Sequence, residues 1–176
     1  MGGLLEEVGI PIPRVFDDAA GTTGLDTSGY CLKISTDGEV TKSAAGSAAY
    51  GFAYVNTKNV LYKGDTTLYT QYEIDPEISV IREGEIDARV ELLANRSTNI
   101  HIGDILAVAP TTAGTIAHWE DNTAQGTANG AFTLANWMAA RSEIVGVAEE
   151  ALLATADPAD GDHMIHIRVM ILGDES

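Results

Sequence analysis

The sequence predicts an all-β protein, a small barrel or sandwich with an extended N-terminal arm and at most one or two short helices. Three observations carry this. Residues 164–172 alternate, with Ile165, Ile167, Val169 and Ile171 on one side and His166, Arg168, Met170 and Leu172 on the other, the period of two of a strand with one face on a core. Short β-branched runs recur from residue 30 to residue 173, separated by turn signals such as Asp37-Gly38, Gly64-Asp65, Gly103-Asp104 and Asp157-Pro158. Only residues 132–140, Phe132 to Ala140, suit a helix, and that stretch is short. Nothing repeats at the fixed period that marks solenoids or propellers.

Taken in order, the chain divides into an extended arm, residues 1–29, and a β-domain, residues 30–176. Ile10-Pro11-Ile12-Pro13 forces an extended path, and Ala19-Ala20-Gly21-Thr22-Thr23-Gly24 is loop material. Leu4, Leu5, Val8, Ile10, Ile12, Val15 and Phe16 are too many apolar side chains for a free tail and need cover. Two covers are open, the arm's own domain or a neighbouring subunit, and these seven residues are the candidate intersubunit contacts.

Residues 30–35 lead through Asp37-Gly38 to Val40 and Thr41, a hairpin. Small residues fill 43–49, and β-type composition resumes over 50–55, 60–62 and 66–74 until Asp75-Pro76 breaks it. Residues 79–93 read as one surface-facing strand alternating at Ile86, Ala88, Val90 and Leu92. The Gly103-Asp104 pair and a turn at Gly114 bracket a second hairpin over residues 99–119. After a polar loop over 120–130 and the short helical stretch, Ile144 to Ala148 and the alternating run 164–172 form two antiparallel strands joined by a loop.

A chain of 176 residues suits a single core. Ten Lys and Arg against 26 Asp and Glu leave a net charge of −16, a field that repels phosphates, so neither nucleic acid nor an anionic membrane is an expected partner. Such a balance fits a protein that stays hydrated in high salt, and equally an abundant protein kept soluble by charge. Cys31 is the sole cysteine, which rules out an intramolecular disulfide. The first residues lack the basic start and apolar run of a secretory signal, and no window nears the roughly 18 apolar residues of a membrane span. The expectation is synthesis in a cytoplasm.

The side chains that bear chemistry are dispersed. In a strand His163 and His166 face opposite ways, and His101 and His118 have no acidic residue at ligand spacing, so no metal is expected. Asp157, Asp160 and Asp162 around Gly161 read as a solvated turn, because a Ca²⁺ loop needs a longer ordered ligand set. Ser142, Glu143, Glu149, Glu150 and Cys31 sit in no motif that would position a nucleophile. Gly126 and Gly130 lack the Lys-Thr of a phosphate loop. A non-enzymatic protein without a cofactor is the expectation.

Several segments nevertheless form a pattern: Glu83-Gly84-Glu85-Ile86-Asp87-Ala88-Arg89-Val90, Gly103-Asp104-Ile105-Leu106, the turn at Gly114, Ile144-Val145-Gly146-Val147-Ala148-Glu149-Glu150-Ala151 and Ile165-His166-Ile167-Arg168-Val169. Together they resemble the small decoration, or cement, proteins of tailed-virus capsids. The resemblance spans about residues 79–173, its motifs are short, and residues 1–75 do not align with it. It implies a small barrel that binds the outside of an icosahedral shell, commonly as a homotrimer at local three-fold positions, with the major capsid protein as partner and the virion surface as location. It brings no catalytic residues. A tail or baseplate β-module would share the strand pattern. A secreted carbohydrate-binding module would instead show clustered exposed aromatics, whereas Trp119 and Trp137 lie in different segments.

Overall fold

The computed structural model describes residues 12–17, 24–25, 28–54, 77–92, 99–119, 141–153 and 163–171. Within them the chain is all-β, and the helical element lying wholly within the described residues is a 3-10 turn, Arg141–Glu143. The expected strands over 60–62 and 66–74, the loop over 120–130, the helical stretch 132–140 and the Asp157 to Asp162 turn lie outside the described residues.

The first five strands make one sheet. They are β1 (Ile12–Val15), β2 (Cys31–Ile34), β3 (Val40–Lys42), β4 (Gly51–Ala53) and β5 (Glu77–Ile81), in the spatial order β1-β5-β4-β2-β3. The Asp37-Gly38 hairpin forms as its sequence suggests, with Ile34 opposite Val40 and the Ser35 N–H donating to Glu39 O at 2.8 Å. β1 pairs antiparallel with β5, Ile12 opposite Val80. Just beyond β1, Phe16 bridges Val40 in β3, and the Asp17 N–H donates to Val40 O at 2.9 Å. The two edges of the sheet thus meet at one end, and the sheet curls around Phe16, Leu25, Tyr30, Leu32, Val40, Tyr50, Ala53, Ile78 and Val80.

The later strands make a closed barrel. β6 (Glu83–Val90) is followed by β7 (Asn99–Ile100), β8 (Ile105–Val108), β9 (Ile116–His118), β10 (Ile144–Ala148), β11 (Leu152–Leu153) and β12 (His163–Met170). The barrel runs β10-β12-β6-β9-β8 and back to β10, while β7 and β11 pair as a short separate ribbon. Every barrel contact is antiparallel except Val90 opposite Ile116, where β6 and β9 run parallel and complete the circle. The expected pairing of 144–148 with the last strand is observed, Gly146 opposite Val169. Ile86, Ala88, Val90, Leu106, Val108, Ile116, Val145, Ile165, Ile167 and Val169 point inward and fill the interior. Each large aliphatic side chain so buried stabilises the fold by about 1.5–3 kcal/mol before entropy is counted.

The described part of the single surface-facing strand expected over 79–93, residues 79–92, belongs to two strands. Arg82 separates β5 from β6. Ile78 and Val80 face the core of the sheet and Ile81, on the opposite face of β5, the core of the barrel, whereas in β6 it is Ile86, Ala88 and Val90 that face the barrel, so the inward set shifts by one residue between the two strands. Cys31, Ala49, Phe52 and Ile81 all pack into the barrel core from the far face of the sheet. Main-chain bonds stitch the same seam: Cys31 N–H to Gly114 O at 2.8 Å, Gly114 N–H to Ser43 O at 2.9 Å, and Arg89 N–H to Gly29 O at 3.0 Å. Gly114 has φ +80, and a Cβ there would sit 2.6 Å from Tyr30 Cδ1. Only glycine allows both that backbone and that approach.

Candidate functional site

The barrel's outer surface over β6, β12 and the end of β10 gathers the charge. Antiparallel register sets Glu83 opposite Met170, Glu85 opposite Arg168, Asp87 opposite His166 and Arg89 opposite Met164. Strand alternation turns all eight away from the packed interior. Beyond β10, Glu149 and Glu150 lie along the other flank of β12: the Glu149 N–H donates to His166 O at 2.9 Å, and the His166 N–H donates to Glu150 Oε2 at 3.2 Å. Gly146 makes the approach of β10 possible, because a Cβ on it would collide with the Arg168 carbonyl.

Within this face the pairing is diagonal. Arg168 reaches Glu149 Oε1 at 2.7 Å, and Glu85 is met by His166, whose Nε2 lies 3.2 Å from Glu85 Oε2. The other ring nitrogen, Nδ1, lies 3.0 Å from Asp87 Oδ1. A neutral imidazole can donate through one nitrogen only, so two carboxylate acceptors favour the doubly protonated ring. The hydrogen bond to Asp87, supported by that to Glu85, raises the His166 pKa above its ordinary value against a smaller opposing effect of burial.

A second cluster corrects the expectation for His101 and His118. Asp104 lies between them, its Oδ2 3.6 Å from His101 Nδ1 and 3.4 Å from His118 Nε2, while the same oxygen accepts the His101 N–H at 2.8 Å. The Gly103-Asp104 turn folds the carboxylate back on His101, and the β8–β9 register brings in His118 opposite Leu106. Linear spacing does not display that register. Among the described residues, no group of three or more His, Cys, Asp or Glu is arranged to hold a metal ion.

Glu91, which the sequence did not single out, is buried at the end of β6. It accepts from the Thr111 hydroxyl through Oε1 and from the Thr112 N–H through Oε2 at 3.1 Å. This fixes the β8–β9 turn against the barrel wall and satisfies a charge that would otherwise be costly to bury.

The basic residues, dispersed in sequence, converge on two buried tyrosines. Arg14 and Arg82 stand over the Tyr50 ring at 5.3 and 4.6 Å, and Lys42 and Arg89 over the Tyr30 ring at 4.2 and 4.5 Å, within the reach of cation–π attraction. Arg82 also donates to Tyr50 O at 3.0 Å. Arg82, between sheet and barrel, and Arg89 of the barrel thus reach tyrosines of the sheet core, which Arg14 and Lys42 meet from the sheet itself.

The candidate intersubunit residues divide. Leu4, Leu5, Val8 and Ile10 lie outside the described residues. Ile12 is half-buried in β1 against this chain's own β5, and Phe16 is fully buried in this chain's own core, the intramolecular cover of the two considered. Val15 is exposed. Of the groups weighed for catalysis, Ser142 accepts the Ala49 N–H through its carbonyl in the 3-10 turn, and Glu143 is buried beside it. Cys31 is buried at the seam, and burial pushes its thiol up to about 12, far from the thiolate range.

Comparison with protein-family models and with curated protein sequences finds no match to this chain.

Proposed function

We propose that this chain is a non-enzymatic virion protein that binds the exterior of an icosahedral capsid of a tailed virus and reinforces contacts between capsomers. The reading rests on the resemblance to decoration proteins, and one observation supports it. The segments that carry the resemblance, scattered between residues 83 and 169, come together as one object: residues 83–90 are β6, 103–106 lead into and open β8, Gly114 turns β8 into β9, 144–148 are β10 and 165–169 lie in β12. Those strands are the closed barrel. The closed barrel has no free strand edge of its own, which suits a protein displayed at high density because neighbouring copies cannot zip together through their barrels.

In this reading the partners are the major capsid protein and two further copies of the chain, with neither nucleic acid nor membrane involved, and synthesis takes place in the host cytoplasm. Leu4, Leu5, Val8 and Ile10 serve as contacts to a neighbouring subunit, since their apolar side chains precede a strand whose own register is already satisfied by β5. The test is stoichiometry. Quantitative mass spectrometry of purified particles is expected to find this chain at a fixed ratio comparable to the major capsid protein. A few copies per particle would favour a tail or baseplate module, and absence from the particle would end the proposal.

A further inference from the structure

His166 occupies an unusual place on the barrel. It lies midway along β12, the strand that pairs with both β6 and β10, and every polar atom it offers is engaged. Its ring nitrogens meet Asp87 and Glu85, its N–H meets Glu150, and its carbonyl meets the Glu149 N–H. The charged groups around it are one-sided. From β6 come Glu85 and Asp87, with Arg89 diagonal to it and stacked on Tyr30. From the β10 flank come Glu149 and Glu150, and on β12 itself Arg168 is turned toward Glu149. Glu85 and Asp87 stand two residues apart on one face of one strand, and His166 is the side chain that both touch.

We infer that His166 is a proton-operated clamp between the barrel's last strand and β6. As imidazolium it donates to Asp87 and Glu85 together and offsets their mutual repulsion. When the proton leaves, one of the two bonds loses its donor, the carboxylates face each other without an intervening charge, and the β6–β12 pair loosens around His166. The direction follows from linkage. A group whose pKa is raised in the folded state contributes stability that is fully present below its unfolded value, near 6.5, and is lost as pH rises through the folded value. The wall is therefore tighter on the acidic side of that window. This inference stands apart from the proposed function and holds whether or not the protein decorates a capsid.

The ring resonances of His166, assigned by comparison with a His166→Gln variant, are to be followed by NMR in the intact protein from about pH 5 to about pH 9, the span over which an imidazole titrates. His166 is expected to titrate above 6.5, and its midpoint to fall in both Asp87→Asn and Glu85→Gln. Amide exchange across residues 165–169, corrected for intrinsic rate, should accelerate through the same pH window in the wild type. A midpoint at or below 6.5, or one unmoved by both carboxylate substitutions, overturns the clamp. So does β12 exchange that ignores the titration. Should His166→Gln not fold, the two carboxylate variants supply the assignment and the test together.

Discussion

The sheet and the barrel are built from the same kind of strand yet solve different packing problems. In the barrel, each long strand has one face in the core and one in solvent: β12 buries Ile165, Ile167 and Val169 and exposes Met164, Arg168 and Met170. In the sheet, β4 is buried along its whole length, Phe52 pointing to the barrel core and Ala53 to the core of the sheet. A sheet with both faces covered has no reason to alternate polar and apolar residues. The difference locates the weak point of each half. The barrel depends on its interior and on the charged pairs outside it, whereas the sheet depends on the seam it shares and on the edge closure at Phe16.

The comparison breaks most readily at the seam. Phe52→Ala should cost about 3–5 kcal/mol, the range for a buried aromatic truncated in a core. Because Phe52 packs on the barrel from within the sheet, calorimetry is expected to show one transition moved to lower temperature. Two separated transitions, with only one displaced, would mean that the halves fold independently. Cys31 provides a second readout in the same experiment, since its buried thiol should react with a thiol reagent only as the seam opens.

Next comes the edge closure. Phe16→Ala should also lower stability by about 3–5 kcal/mol, measured by urea denaturation of the isolated protein, because Phe16 fills this chain's own core. A change under about 0.5 kcal/mol, the range of surface substitutions, would contradict intramolecular packing of residues 12–17. The smallest effect is at the tyrosines: Arg14→Met keeps the aliphatic stem and removes the charge over Tyr50, and about 0.5–1 kcal/mol is expected from the lost cation–π attraction. An equal loss in a Tyr50→Leu background would show that the ring is not what Arg14 stabilises.

What the sequence determined by itself is whatever depends on neighbours a few residues apart. The all-β class, the hairpin at Asp37-Gly38, the turn at Gly114 and the inward set of β12 were all legible, because turn chemistry and a period of two are local properties. Tertiary structure decided the rest. It cut the run from 79 to 90 in two at Arg82, since only the presence of two cores tells the chain to change partners there. It drew residues 12–15 of the arm into a sheet with β5, some sixty-five positions away, a pairing that Ile-Pro-Arg-Val does not announce. The charged face was hidden for the same reason: His166 meets Asp87 and Glu85 about eighty positions away, and His118 meets Asp104 only through the β8–β9 register. A side chain's partners across a sheet are set by register, and register is fixed by which faces find a core.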